Sequence, residues 1–242
     1  MDFTLKKYRE LLTVLKGYGE VVLRHDVDQK PQNSVKTARI EQELGWKAVY
    51  YFRAKPYGWE EEAIHEIAAM GHEIGYHYES LATCDGDMEL AYRDFCDHLE
   101  SLRKLVPVTS ICVHGSPTSQ WDSRDLWKHY DYHKLGIKTE PYLDTDFSEV
   151  FYLTDTGRRW DGFKVSVRDK IPEYQEQWTQ NGWVYRHTDD IIKAVKEGHF
   201  PRKAMVTTHP QRWTDNPWQW CCEMGVQWVK NMVKAIIVKK KL

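Results

Sequence analysis

The stretch Val21-Val22-Leu23-Arg24-His25-Asp26-Val27-Asp28-Gln29 sets the frame for the whole chain. Three apolar residues read as a buried strand, and four ionisable side chains follow within five positions. Side chains alternate faces along a strand, so Asp26 and Asp28 share one side while Val27 faces the other. Two carboxylates that close raise one pKa unless a cation lies between them. The alternative is a pair that caps the helix that follows, where Pro31 and Asn33 suit a helix start. Arg24 and His25 are either partners of the carboxylates or strand residues paired with a neighbour.

Outward from this stretch, strand-like runs alternate with helical patterns. MDFTLKKYRELLTVLKGYGE before it reads as an amphipathic helix. After the strand Val21–Asp28 comes a helix over Asn33–Leu44, closed by Gly45, and then the β-type run Lys47–Ala54. A helix over Glu60–Met70 leads to the strand Glu73–Tyr78, and a long helix over Asp87–Leu105 leads to Ser110–His114. Residues 203–209 form another β-type run, and Trp218–Val238 reads as a final helix with a Lys-rich end. That end either touches a membrane or complements the helix dipole. The alternation predicts an α/β fold with a parallel sheet and crossover helices. With no linker composition and no repeat, residues 1–242 read as one domain. Residues 136–186 carry no assignable pattern.

Composition narrows the classes. A formal net charge of −2 over 242 residues gives no sign of a nucleic-acid surface. No stretch approaches the roughly 18 apolar residues of a membrane span, and no signal-peptide core is visible. Five cysteines, an odd number without zinc-finger spacing, suit a reducing compartment, so a cytoplasmic location is expected. Eleven Trp and fourteen Tyr either line a ligand cleft, such as a sugar site, or fill an aromatic core. Oligomeric state is not legible.

In parallel α/β folds ligands meet the carboxyl ends of the strands. Asp26 and Asp28 close the first strand, His77 the third, His114 the fourth and His209 the last. His72 and His77 lie an odd number apart and face opposite ways; His77 is at the strand end, and His72 reads as structural. Gly75 either leaves room beside the backbone or marks a bulge. His114 before Gly115-Ser116-Pro117, and His209 before Pro210, are strand-terminal rings that serve the site or bond the turn. His209 suits a general acid. In Tyr152-Leu153-Thr154-Asp155-Thr156-Gly157-Arg158-Arg159-Trp160, Asp155 orients a catalytic group and Arg158 neutralises an anion, or the cluster merely stabilises a loop.

In this order the residues resemble the polysaccharide deacetylase (NodB-homology, carbohydrate esterase family 4) superfamily. The resemblance implies a distorted (β/α) barrel that removes acetyl groups from sugars with one divalent metal. Arg24-His25-Asp26-Val27-Asp28 is similar to the family's first motif, which implies Asp26 as base and Asp28 as metal ligand. His77-Tyr78-Glu79-Ser80-Leu81 is similar to the second, His-Thr-x-x-His, with Leu81 where the second imidazole belongs; His114 or Glu79 takes that place. Arg24 or Arg158 stands in for the Arg that holds the base, and Val206-Thr207-Thr208-His209 is similar to the last motif. The implied set is therefore Asp26, His209, Asp155 and Arg158 in catalysis, and Asp28, His77 and His114 on a zinc ion. Arg24, Tyr78, Trp160 and Trp213 complete it against an acetylated sugar or glycan intermediate. Three O/N ligands with an open position suit a catalytic rather than a structural zinc. Two other classes stay open: a deacetylase-fold binding protein without turnover, and a metal-dependent hydrolase of a non-sugar amide.

Overall fold

Helix α1 (Leu5–Leu15) forms because Tyr8, Leu11, Leu12 and Leu15 recur on one face, all buried. The Thr4 hydroxyl caps it by accepting from the Lys7 N–H at 3.0 Å. The computed structural model describes residues 1–54, 56, 58–164, 166 and 168–241, with side chains described as far as residue 232. After α1 the chain runs β1 (Glu20–Val27), α2 (Pro31–Glu43), β2 (Ala48–Arg53), α3 (Glu61–Ala69), β3 (Glu73–Tyr78) and α4 (Ser80–Thr83). It continues through α5 (Met88–Arg103), β4 (Ile111–Val113), α6 (Pro141–Asp144), β5 (Phe151–Thr154), α7 (Pro172–Gln180), α8 (Thr188–Lys196), β6 (Lys203–Thr208) and α9 (Pro217–Lys241).

All strand pairings are parallel, in the order β4-β3-β2-β1-β6-β5. Read as a ring, that order is the sequential order of a barrel left open between β4 and β5. The fold is thus a distorted (β/α) barrel, the architecture that the resemblance implies. The expected strands and helices all form, with ends shifted by a few residues. Residues 136–186, unreadable in sequence, hold α6, β5 and α7. Strand β5 has only four residues, and its pairing with β6 at Phe151–Ala204 through Thr154–Thr207 defines it. The side chains of Lys239, Lys240 and Lys241 lie outside the described residues.

Register decides which side chains enter the barrel. Asp26 aligns with Tyr51 and Tyr51 with Gly75, so all three face the interior with Arg24. A Cβ on Gly75 would meet the Tyr51 ring at 2.4 Å. The glycine makes room for that ring, and pairing with β2 is unbroken, so there is no bulge. His25 and His72 face outward, into a buried polar cluster between sheet and helices. Glu41 of α2 accepts from the Tyr8 and Tyr50 hydroxyls, and its Oε1 lies 2.8 Å from His25 Nε2. His72 accepts from the Ala48 N–H at 3.2 Å and donates to the Ala38 carbonyl at 3.0 Å, which makes it structural, as expected.

Burial pushes the Glu41 carboxyl up, but the charge and bond of His25, the Tyr8 bond and His72 outweigh this and hold it below its ordinary value. A lowered folded pKa contributes stability above the unfolded value, and that contribution fades as pH falls below it. Glu41→Ala removes the shared partner of two buried hydroxyls and an imidazole. It is expected to lose about 3–5 kcal/mol in urea unfolding at neutral pH, with a smaller deficit in acid.

Candidate metal centre and acid–base site

The barrel mouth gathers residues that stand at, or one position beyond, the strand ends. Asp26 and Asp28 come from β1, His77 from β3, His114 from β4, Asp155 from β5 and His209 from β6. The capping alternative for the Asp pair is not realised. Helix α2 begins at Pro31 with left-handed Lys30 (φ 51°) as its cap and no side-chain cap bond.

His77 Nε2 and His114 Nε2 each lie 3.5 Å from Asp28 Oδ1, and the two rings stand at 88° to one another. Both rings have their other nitrogen committed. His77 Nδ1 lies 2.9 Å from the Cys112 carbonyl, and His114 Nδ1 lies 3.0 Å from Glu79 Oε2. Those acceptors fix the Nδ1–H tautomer and leave both Nε2 lone pairs directed at Asp28. Asp28 Oδ1 is itself buried and has no hydrogen-bond partner among the described residues. With both imidazoles neutral, three lone-pair donors converge here, an arrangement that a divalent cation satisfies, so the residues fit the group. Burial would raise the Asp28 carboxyl, yet His114, His77 and His209 outweigh it and hold it well below the usual carboxylate range.

Glu79 is not a third donor into this cluster. It receives Arg53 Nε at 2.9 Å and holds His114 Nδ1, and these partners bring its carboxyl down to about 2 against the effect of burial. His114 stands beside Asp28 and His77, whereas Leu81 is buried in the core. Glu79→Gln weakens the fixing of the His114 ring and is expected to lower metal affinity about 10–100-fold, read by competition with a chromophoric chelator.

Asp26 is gripped differently. Arg24 donates to both its oxygens, Nε at 3.0 Å and a terminal nitrogen at 2.8 Å, in a fully buried fork. His77 Nε2 lies 3.8 Å from Asp26 Oδ2. Asp26, His77 and Cys112 also place ligand atoms within 4.8 Å of one another. Two facts weigh against a cation there: the Arg24 charge adjoins it, and burial keeps the Cys112 thiol well above its ordinary pKa.

His209 is the best-buttressed ring. Asp155, fully buried, lies 2.7 Å from His209 Nδ1 and accepts from the His209 backbone N–H, Trp213 Nε1 at 2.8 Å and Arg212 at 2.7 Å. Burial pushes the Asp155 carboxyl up, and the charges of Arg212 and His209 bring it below its ordinary value. His209 Nε2 then faces Asp28 Oδ2 at 3.9 Å.

Five residues expected in catalysis or at the substrate lie away from the open mouth. Arg24 is buried beneath Asp26, with its guanidinium 4.7 Å from the centre of the Tyr142 ring. Tyr78 is fully buried on the outer face of β3, with its hydroxyl accepting from Trp127 Nε1 at 2.8 Å. Alternation could have shown this, because inward His77 forces Tyr78 outward. Trp160 is buried and donates to the Thr188 hydroxyl at 2.9 Å, and Trp213 is a buried donor to Asp155. Arg158 turns away from the mouth, donates to the Trp220 carbonyl at 3.0 Å and lies over the Phe3 and Trp220 rings.

Sequence reasoning missed Arg212, Arg124, Arg168 and Asp169, all of which line the mouth. Asp169 accepts the hydroxyls of Tyr142 (2.9 Å), Tyr152, Thr154 (2.9 Å) and Thr156. Burial opposes its charge, but His209, Arg24 and the Thr156 and Tyr152 bonds hold it far below the usual carboxylate range. No strand end announces it; one hydroxyl from α6 and three from β5 and the loop after it define it. The mouth opens on two larger clefts. One, of about 500 Å³, carries Tyr142, Phe147, Tyr174 and Lys170. The other, of about 410 Å³, carries Gln29, Gln211 and Gln227.

No protein-family model matches the chain, and no curated protein matches it. Among solved structures it is similar to Bacillus subtilis PdaA, a family 4 carbohydrate esterase: 12% identity, 91% of this chain and 83% of that one, TM-score 0.43. It is also similar to a CE4 esterase of Streptococcus mutans: 11% identity, 94% and 86% coverage, TM-score 0.48. At this identity and overlap the functional reading rests on the geometry of the site.

Proposed function

We propose that the chain is a divergent relative of the polysaccharide deacetylases. In this reading it is a zinc-dependent cytoplasmic hydrolase that removes an acetyl group from an N-acetylated sugar or sugar-containing intermediate. The observation that carries the reading is the unpartnered, buried Asp28 Oδ1 facing the Nε2 atoms of His77 and His114 at 3.5 Å. Asp28, His77 and His114 hold the metal; two nitrogens and one oxygen suit a catalytic zinc. When bound, zinc lowers the pKa of water toward about 7 and polarises the acyl carbonyl.

The chain's own residues supply the rest. Arg24 holds Asp26 aimed at the mouth, where it accepts the proton of the attacking water. Asp155 holds His209 in the tautomer and orientation needed to deliver a proton from Nε2 to the departing amine. Arg212 and Trp213 fix Asp155 in turn. The aromatic rings and amide side chains of the adjoining clefts suit a sugar, which offers both an apolar face and hydroxyls.

The test pairs metal analysis of the purified chain with hydrolysis assays on N-acetylated sugars and on small cyclic amides. Stoichiometric zinc with acetate release that a chelator abolishes supports the reading. Turnover of the amides alone favours a non-sugar hydrolase. Bound metal without turnover of either favours a binding protein.

A further inference from the structure

Helix α9 is amphipathic in the opposite sense to a helix that packs on a core. Its inward residues, Trp220, Glu223, Gln227 and Asn231, recur at helical spacing and bind through polar groups. Trp220 Nε1 donates to the Asp2 carbonyl at 2.7 Å, Asn231 to the Gly157 carbonyl at 2.9 Å, and Glu223 meets Lys30 at 3.3 Å. Its outward residues are apolar: Trp218 is 78% exposed and Trp228 63%, with Met224, Val226, Val229 and Met232 exposed beside them. A helix that offers water its apolar side lacks a partner.

Charge identifies that partner. From Met224 to Leu242 the sequence holds Lys230, Lys234, Lys239, Lys240 and Lys241 and no acidic residue, in a chain whose net charge is −2. An apolar helix face with Trp, interrupted and followed by lysines, matches the headgroup region of an anionic bilayer. Among the described residues no helix is long and apolar enough to cross a membrane. A second copy would fit less well: it brings another lysine-rich helix, and Glu223 is already paired with Lys30.

We propose that α9 docks the protein on an anionic lipid surface through the face bearing Trp218, Trp228, Val229 and Met232. Glu223, Gln227, Val229 and Lys230 also wall the cleft that reaches Asp28 and His114. Docking therefore holds the barrel mouth beside the bilayer.

The test is flotation of the full chain with phosphatidylcholine vesicles, with and without about 30% phosphatidylglycerol. Expected is at least about tenfold stronger partitioning onto the anionic vesicles, largely lost between about 0.1 and about 1 M salt as screening shortens. Trp228→Glu and Val229→Glu, at exposed positions that folding does not require, should each abolish flotation. Leu143→Glu, exposed on another surface, should leave it intact. Absence of flotation, equal partitioning onto neutral vesicles, or survival in both α9 variants overturns the proposal. So does a lipid-free dimer, seen by sedimentation, that the same two variants dissolve.

Discussion

Asp28→Ala is expected to purify without bound divalent metal and to release no acetate from acetylated sugars, while Asp26→Ala keeps its metal. The difference follows from how each carboxylate is held. Asp28 Oδ1 has two imidazole lone pairs at 3.5 Å and no hydrogen bond, so removing it takes away one of three donors and the only anionic one. Asp26 spends both oxygens on Arg24, whose charge disfavours a cation at the same place. Asp26→Ala should therefore lower turnover by about 10²–10⁴, the range for a lost general base, with metal content near that of the parent. Elemental analysis beside a kinetic assay reads both effects. Equal metal loss in the two variants would refute the division of roles, and retention of metal by Asp28→Ala would point instead to the set with Cys112.

The second large effect belongs to the acid. In the proposed reading His209→Gln removes the proton donor, and it is expected to cut turnover about 10²–10⁴-fold with metal and stability near parental values. Asp155→Asn should lose turnover on a similar scale for a different reason. The amide cannot accept from His209, Trp213 and Arg212 together, and it leaves the buried Arg212 guanidinium without its counter-charge. Breaking a buried pair in this way costs about 3–5 kcal/mol, so Asp155→Asn should also unfold at lower urea. A stability loss in Asp155→Asn that is absent from His209→Gln distinguishes an orienting, charge-balancing carboxylate from a simple hydrogen-bond acceptor. Equal kinetics of His209→Gln and the parent would remove His209 from the chemistry.

The separation of these roles was only half legible beforehand. Alternation along β1 places Asp26 and Asp28 on one side, and the breakers after His114 and His209 mark strand ends; both are local properties of the chain. Arg24, two positions back on the same inward face, is a local partner for Asp26. That Asp28 instead meets two imidazoles depends on their arrival from β3 and β4. Strand β5 was hidden because four residues are too few to show a period, and pairing with β6 makes it a strand. The aromatic residues misled for a related reason: composition reports how many rings exist and is silent on whether Trp160 and Trp213 face solvent or each other.

What the sequence by itself determined is the alternation of strands and helices, and the delivery of Asp26, Asp28, His77, His114 and His209 to one end of a parallel sheet. These follow from periodicities of two and 3.6 that each segment carries alone. What only the tertiary structure decided is partnership. Asp155 rather than solvent holds His209, Glu79 fixes His114 instead of joining it, and Asp169 gathers four hydroxyls. Arg24 and Arg212 support carboxylates, while Arg158 turns to α9. Except for Arg24 and Asp26, which are two positions apart on one strand, these pairings join residues far apart in the chain. The burial that makes an unpaired charge costly is a property of the closed barrel, not of any segment.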